Sequence, residues 1–397
     1  MSGKKKILMV MPVMKGGGAE RVASLLLNEF SRNGYSCEFL LTSSKKEDVI
    51  NRDLNPDIPI TSVFSGKKNG LFFKVSELLA SLLCKPFEML GINVPACFAF
   101  LSFFSQYHNE IKALREKLKN EPDTTVISFL QPSVPMTLIA AKGLPNKVVI
   151  SERGDPKRLL KKRYGYNFIK KYYQRANAVV YQTNDAMATY PKNISSKGTV
   201  IFNPINDKLP EPYFGEREKC ITTFCRISRQ KNLPVLVEAF AGFHKEFSDF
   251  RLRIIGEPQN DDDRASLSEA TALADKLGVS EYIDFEPFSS NVHNLIIRDA
   301  MYVNSSDYEG MSNAMLEAMA IGMPVVCTDC PIGGANAVIE NGKNGMLAKV
   351  GDPKDFADAI IKVLSDKELA ESLSLNAVKI RDELSLENIS KKWMELF

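Results

Sequence analysis

Short continuous apolar runs, each followed by a small or polar loop and then by apolar residues spaced three and four apart, recur along most of the chain. Residues 7–11 are such a run, the pattern of a strand buried on both faces. A glycine-ended loop from Pro12 to Gly18 follows. Residues 19–31 then place Val22, Leu25, Leu26 and Phe30 on one helical face. Further strands are predicted at 35–41, 60–64, 126–130, 147–151, 178–182 and 199–202. A polar, proline-bearing stretch from Pro204 to Glu218 interrupts the rhythm. It resumes with strands at 221–225, 251–255, 282–285, 300–304, 325–328 and 346–350. Helices are predicted between them at 233–247, 264–277, 292–297, 312–321, 334–340 and 353–364. Strand, loop and helix in alternation predict an α/β chain of doubly wound sheets, with ligands outside the carboxyl ends of the strands. A chain of 397 residues is long enough for two such domains. The pattern divides it into 1–203, a linker at 204–218, a second domain at 219–384 and a terminal segment at 385–397.

Residues 67–120 depart from this rhythm. Leu71, Val75, Leu78, Leu79, Leu82 and Leu83 form an apolar helical face. After Pro86 and Pro95, Phe100, Phe103, Phe104, Tyr107, Ile111, Leu114 and Leu118 keep helical spacing. Lys67, Lys68, Lys74 and Lys85 surround the segment. Two readings fit: packing of the aromatic stripe into the core, or a helix lying in a membrane interface with its aromatic excess at 98–104.

The net charge of +3 conceals an asymmetry. Residues 1–203 carry 30 Lys+Arg against 16 Asp+Glu, and the remainder 21 against 32. A basic first half suits an anionic membrane surface or a diphosphate-bearing partner. No aromatic-basic module or zinc finger points to nucleic acid. Seven scattered cysteines form no disulfide framework and fit a reducing cytoplasm. Cys327 and Cys330, a lone Cys-x-x-Cys, read as a strand end. The apolar run behind Lys4, Lys5 and Lys6 meets Gly-Gly-Gly-Ala-Glu-Arg rather than a cleavage site, so it reads as a strand. No run reaches the ~20 apolar residues of a spanning helix.

Candidate chemistry gathers at residues 307–326. Glu309 and Gly310 form a loop before a helix starting near Ser312, whose free backbone N–H groups and positive dipole end suit a phosphate. Glu309 and Glu317 bracket that end, and carboxylates accept hydrogen bonds from sugar hydroxyls. Phosphate donors beside hydroxyl acceptors suggest a nucleotide sugar; the plainer alternative is a Ser-capped helix with solvated glutamates. Arg226 and Lys231 follow the first strand of the second domain, where two fixed cations can neutralise a leaving diphosphate. Glu152, Arg153 and Asp155 end the strand at 147–151. Gly16, Gly17 and Gly18 permit close backbone approach but lack the G-x-G-x-x-G spacing. Asp261, Asp262 and Asp263 read as a solvated loop rather than a metal site.

Together these residues resemble the family 4 glycosyltransferases of the GT-B fold. The marks are Gly17-Gly18-Ala19-Glu20-Arg21-Val22, Arg226 with Lys231, the Gly256-Glu257 turn, Glu309-Gly310 with Glu317 eight residues on, and Asn344-Gly345. The likeness spans nearly the whole chain and is strongest from 221 to 352. It implies two Rossmann-like domains facing a cleft, the second binding a nucleotide-sugar donor and the first an acceptor. The last helix would cross back to the first domain. By the same resemblance, Arg226 and Lys231 would bind the donor diphosphate, joined by backbone N–H groups of Met311, Ser312 and Asn313. Glu309 would accept from the transferred sugar and Glu317 from the ribose. Gly17 and Gly18 would close on the diphosphate, and the base would lie near Ile283 to Phe288. Transfer would retain anomeric configuration and need no metal or other cofactor.

Many members carry a histidine where this chain has Ser151-Glu-Arg-Gly-Asp155, and Glu152 or Arg153 is the expected substitute. The motif resembles the bacterial subgroup that extends lipid-diphosphate-linked oligosaccharides. The resulting expectation is a peripheral enzyme on the cytoplasmic face of the plasma membrane. It would move a hexose or N-acetylhexosamine from a nucleotide sugar, UDP-linked, to a polyprenyl-diphosphate-linked or other envelope glycan. The rivals are transfer to a soluble small acceptor and a catalytically silent GT-B partner subunit. The intact set of Arg226, Lys231, Glu309 and Glu317 counts against the second.

Overall fold

The apolar runs assemble into two wholly parallel sheets. A computed structural model describes residues 5–66 and 71–397; Lys4, Lys67, Lys68 and the side chain of Leu71, all singled out above, lie outside it. The chain divides into one unit of Met1–Pro204 with Leu386–Phe397 and a second of Ile205–Ser385.

The first unit holds β1 (Lys6–Met11), β2 (Ser36–Leu41), β3 (Ile60–Ser62), β4 (Thr125–Phe129), β5 (Val148–Ser151), β6 (Ala178–Tyr181) and β7 (Gly198–Val200). Their order is β3-β2-β1-β4-β5-β6-β7. Residues Ile7 to Met11 have no solvent exposure, as a strand covered on both faces requires. Helix α1 (Gly18–Arg32) packs against the last helix of the chain, Leu386–Met394. Trp393 lies 5.6 Å from the Phe129 ring, and Phe397 meets Phe30 edge-on at 5.0 Å. The terminal segment thus completes the core of this unit.

Residues 71–120 form α2 (Leu71–Met89), α3 (Ala96–Gln106) and α4 (His108–Asn120). The stripe expected to run from Phe100 to Leu118 breaks at Tyr107, which ends α3 and starts α4. The structure separates the two readings of this segment. Phe103 is buried against Tyr107, Tyr164 and Phe168, with ring centroids 4.7, 5.1 and 5.5 Å away. Phe100 stacks on Tyr172 at 5.3 Å and on Phe104 at 5.6 Å. The aromatic excess at 98–104 therefore packs largely against the core, with Leu101 left 39% exposed. The larger exposed apolar surface belongs to α2 instead.

The second unit holds β8 (Glu218–Phe224), β9 (Arg251–Ile255), β10 (Ile283–Glu286), β11 (Asp299–Asn304), β12 (Val325–Thr328) and β13 (Met346–Ala348), in the order β10-β9-β8-β11-β12-β13. Of the stretch read from sequence as a linker, 204–218, all but Pro204 lies within this unit. Ile205 N–H donates to Leu384 O at 2.8 Å, and Tyr213 N–H to Ile321 O at 3.2 Å. The Arg217 guanidinium donates to the carbonyls of Ile297 and Asp299, each at 3.1 Å. The acidic run is also not a loop. Asp261, Asp262 and Asp263 form the first turn of the helix Asp261–Leu277, capped by Asn260. Three carboxylates there meet the positive end of the helix dipole, and Asp263 accepts from Gln259 N–H at 3.1 Å.

Candidate functional site

In the second sheet the strand order reverses between β8 and β11, neighbours in space that are far apart in sequence. A doubly wound sheet opens a crevice at the carboxyl ends of two such strands. The loops that leave them carry the two motifs singled out from sequence, and side chains sew these loops together. Asn232, in the left-handed region at φ 43°, donates from Nδ2 to Asp307 Oδ1 at 2.6 Å. Asp307 N–H reaches Gln230 O at 3.0 Å, and Gln230 Nε2 donates to Tyr308 O at 2.8 Å. Ser305 Oγ donates to Lys231 O at 2.8 Å.

This stitching sets Lys231 Nζ 2.5 Å from Glu309 Oε2, with the two side chains only 14% and 16% exposed. Ser306 Oγ lies 3.2 Å from the same carboxylate oxygen. Burial works against the ammonium charge of Lys231, but the facing Glu309 carboxylate outweighs it and raises the pKa. Lys231 is therefore a fixed cation at neutral pH. Arg226 stands exposed at the end of β8, near enough for its charge to act on Lys231.

Gly310 and Met311 follow Glu309, and Ser312 caps the helix Asn313–Ala320 by accepting from Met315 N–H at 3.3 Å. Gly334 holds this loop down, its N–H donating to Gly310 O at 2.5 Å. A Cβ on Gly334 would stand 2.6 Å from both Gly310 O and Met311 Cα, so only glycine fits. Gly256, in the turn after β9, is as restricted: a Cβ there would meet Cys225 O at 1.9 Å. Glu317 is buried inside the helix, with its Oε2 2.8 Å from His293 Nε2. His293 in turn meets the Phe224 ring edge-on at 5.5 Å. Phe288, just past β10, is 46% exposed.

The first unit places its candidates at the ends of β1 and β5. Gly17 caps α1 and Gly18 begins it. The N–H groups of Lys15 and Gly17 both donate to Glu20 Oε2, at 2.6 and 2.8 Å, so the helix's own carboxylate holds the loop amides. Glu152 accepts from the Tyr173 hydroxyl at 2.5 Å, and Gln131 Nε2 donates to that hydroxyl at 3.3 Å. Burial pushes the Glu152 carboxyl up to about 7. Arg153 lies 4.8 Å over the Phe129 ring and donates to Asn203 Oδ1, and burial lowers it to about 9.

One unit thus collects Arg226, Lys231, Glu309, Gly310, Met311, Ser312, Asn313 and Glu317, and the other Gly17, Gly18, Glu152 and Arg153. Sequence reading missed the partners His293, Asn232, Asp307, Ser306, Tyr173 and Asn203. All but Ser306, three residues before Glu309, are joined to their sites only by the fold. Cys327 and Cys330 are buried free thiols, and burial pushes Cys330 up to about 12, far from a reactive thiolate. Among the described residues, no group of three or more His, Cys, Asp or Glu is placed to hold a metal ion.

Residues 206–380 match the family described as glycosyl transferases group 1. The second unit is thus a group 1 glycosyl transferase domain. An uncharacterized glycosyltransferase of Haemophilus influenzae is 22% identical over 98% of this chain and 99% of its own length. The N-acetylgalactosamine-N,N'-diacetylbacillosaminyl-diphospho-undecaprenol 4-alpha-N-acetylgalactosaminyltransferase of Campylobacter jejuni is 22% identical over 65% of this chain and 71% of its own. Several other curated relatives are matched over less than half of their own length. Among solved structures, HepE of Anabaena in complex with UDP and glucose superposes with a TM-score of 0.73 at 16% identity, over 98% of each chain. The transferase has the GT-B fold.

Proposed function

We propose that this glycosyltransferase moves a hexose or N-acetylhexosamine, with retention, from a UDP-sugar to a glycan carried on a polyprenyl diphosphate. The observation that carries the donor half is the buried Lys231–Glu309 pair at the switch point, 2.5 Å apart. A donor diphosphate entering here takes Lys231 and Arg226 as counter-charges, with the N–H groups at Met311, Ser312 and Asn313 beside them. Glu309, freed from Lys231, accepts from hydroxyls of the transferred sugar. Glu317, oriented by His293, accepts from the ribose, and the base lies toward Phe288. The bond from the anomeric carbon to the diphosphate oxygen breaks, and the acceptor oxygen attacks the same face. The acceptor proton passes to the departing diphosphate, so no metal is needed where two cations offset its charge. Glu152 and Arg153 serve the acceptor. The UDP-bound structural neighbour supports the base. The relative named for a diphospho-undecaprenol glycan supports the acceptor and a place beside a membrane.

Thermal unfolding with UDP, GDP or ADP, with and without a chelator, tests the donor site. UDP at 100 times its dissociation constant adds ~2.7 kcal/mol of stability. That shift is expected for UDP alone, unchanged by the chelator, and absent in Lys231→Ala. Transfer in that variant should fall by the ~2.7–4 kcal/mol that one oxyanion-type donor supplies. A folded Lys231→Ala protein with full transfer overturns the assignment.

A further inference from the structure

Helix α2 carries a face that the fold leaves uncovered. At 3.6 residues per turn, Phe72, Val75, Leu78, Leu79, Leu82, Leu83, Pro86 and Met89 fall within an arc of about 140°. All of them are exposed, Phe72 by 77% and Met89 by 78%, and Leu90, 74% exposed, extends the strip past the helix end. The opposite side of the same helix is bound into the core through Ala80 and Cys84. A contiguous apolar strip on this scale marks an interaction surface.

Charge selects the occupant. No acid lies on the arc, and two exposed lysines, Lys74 and Lys85, border one edge of it. Further round the helix on that same flank, Glu88 is taken up by Arg163, whose Nε and second nitrogen donate to Oε1 and Oε2 at 2.5 and 2.9 Å. Arg163 also donates to Ser81 Oγ at 3.0 Å. This clamp fixes the basic segment against α2, with Lys157, Lys161 and Lys162 exposed on it. A second copy seated on the strip would bring one basic rim against another with no acid to offset it. An anionic lipid surface complements both the strip and its rim. A helix of this kind lies in the interface with its apolar face among the acyl chains. Among the described residues, no helix is long and apolar enough to cross a membrane.

We infer that the outward face of α2 is the surface by which this protein docks on an anionic lipid bilayer. The inference rests on the membrane setting proposed above, not on the identity of donor or acceptor.

Flotation with vesicles of equimolar phosphatidylglycerol and phosphatidylethanolamine tests it, without donor or acceptor. The wild-type chain should float, and float less with phosphatidylcholine alone. The variant Leu78→Gln/Leu79→Gln/Leu82→Gln/Leu83→Gln should bind more than about tenfold more weakly, since its apolar contact is gone. Its far-UV circular dichroism and UDP shift should match wild type. Leu79→Trp gives a second readout that needs no loss of function. The native Trp393 is the only tryptophan and is buried, so quenching by brominated lipid would come from position 79. Undiminished flotation of the folded quadruple variant overturns the inference. So does unquenched Leu79→Trp, or equal binding to neutral vesicles. A wild-type dimer in light scattering that the quadruple variant abolishes would assign the face to a second copy instead. Transfer to a lipid-linked acceptor in detergent tests the functional proposal separately, because it needs no docking.

Discussion

Glu152 ends β5 with the Tyr173 hydroxyl 2.5 Å from one of its oxygens, and burial raises its pKa from 4.5 to about 7. A carboxyl that binds its proton more tightly folded than unfolded adds stability that is complete below its unfolded pKa. That stability is lost as pH rises through the folded value. The window runs from 4.5 to about 7. The wild type should therefore lose roughly 2–3 kcal/mol between about pH 4 and about pH 8 from this group. Glu152→Gln, neutral throughout, should remove that contribution, as urea unfolding at the two pH values would show. An unchanged slope in the variant would mean that Glu152 titrates as an ordinary surface carboxylate. At this scale the sequence pointed to Glu152 and Lys231 by their places after strands and to Glu309 by its place before a helix. It said nothing of Tyr173 or His293. Tyr173 is 21 residues from Glu152 and His293 24 from Glu317, and neither meets its carboxylate until the chain folds.

Elements were legible where one physical cause dominates. Parallel strands covered on both faces favour continuous apolar runs, and β1, β5 and β12 appeared in the sequence as such, while β8 buries Thr222 and Thr223 in its middle. Periodicity alone does not say what covers a stripe. Both α2 and α3 carry apolar residues at helical spacing; α3 packs on Tyr164, Phe168 and Tyr172, while α2 meets solvent. The short helix Ser133–Ala140 went unread because it is apolar on nearly every side and shows no stripe. The loop from Glu309 to Ser312 yields a prediction at this scale. Its position depends on Gly334, where backbone approaches backbone and nothing flexible can yield. Gly334→Val should push Gly310 and Met311 outward and carry Glu309 away from Lys231. Overpacking of this kind costs ~1–3 kcal/mol of stability. The UDP thermal shift should shrink or vanish, while Gly242→Ala, whose Cβ would meet only Ala357 Cβ at 3.6 Å, should leave it in place. An intact UDP shift in Gly334→Val would show that the loop does not form the donor site.

At the scale of the whole molecule, the second unit is inserted between the body of the first and its last helix. The chain enters that unit at Ile205 and leaves it at Ser385, and these two residues pair in a parallel bridge. A segment whose ends meet can be closed off without strain, and this one has its own core, from Ile221 on β8 to Leu373 near its end. Its removal affects the two units differently. Residues 205–385 should fold alone, unfold cooperatively and keep the UDP shift, because Lys231, Glu309, Glu317 and His293 all lie within them. Residues 1–204 alone should not hold a native core. They lack Trp393 and Phe397, which cover Phe129 and Phe30, and loss of a buried aromatic of this size costs ~3–5 kcal/mol. Adding the segment 386–397 as a separate peptide should restore cooperative unfolding to that fragment, with Trp393 fluorescence moving to the blue as the indole is buried. If residues 1–204 unfold cooperatively without the peptide, the terminal helix is an accessory to the first unit rather than part of its core.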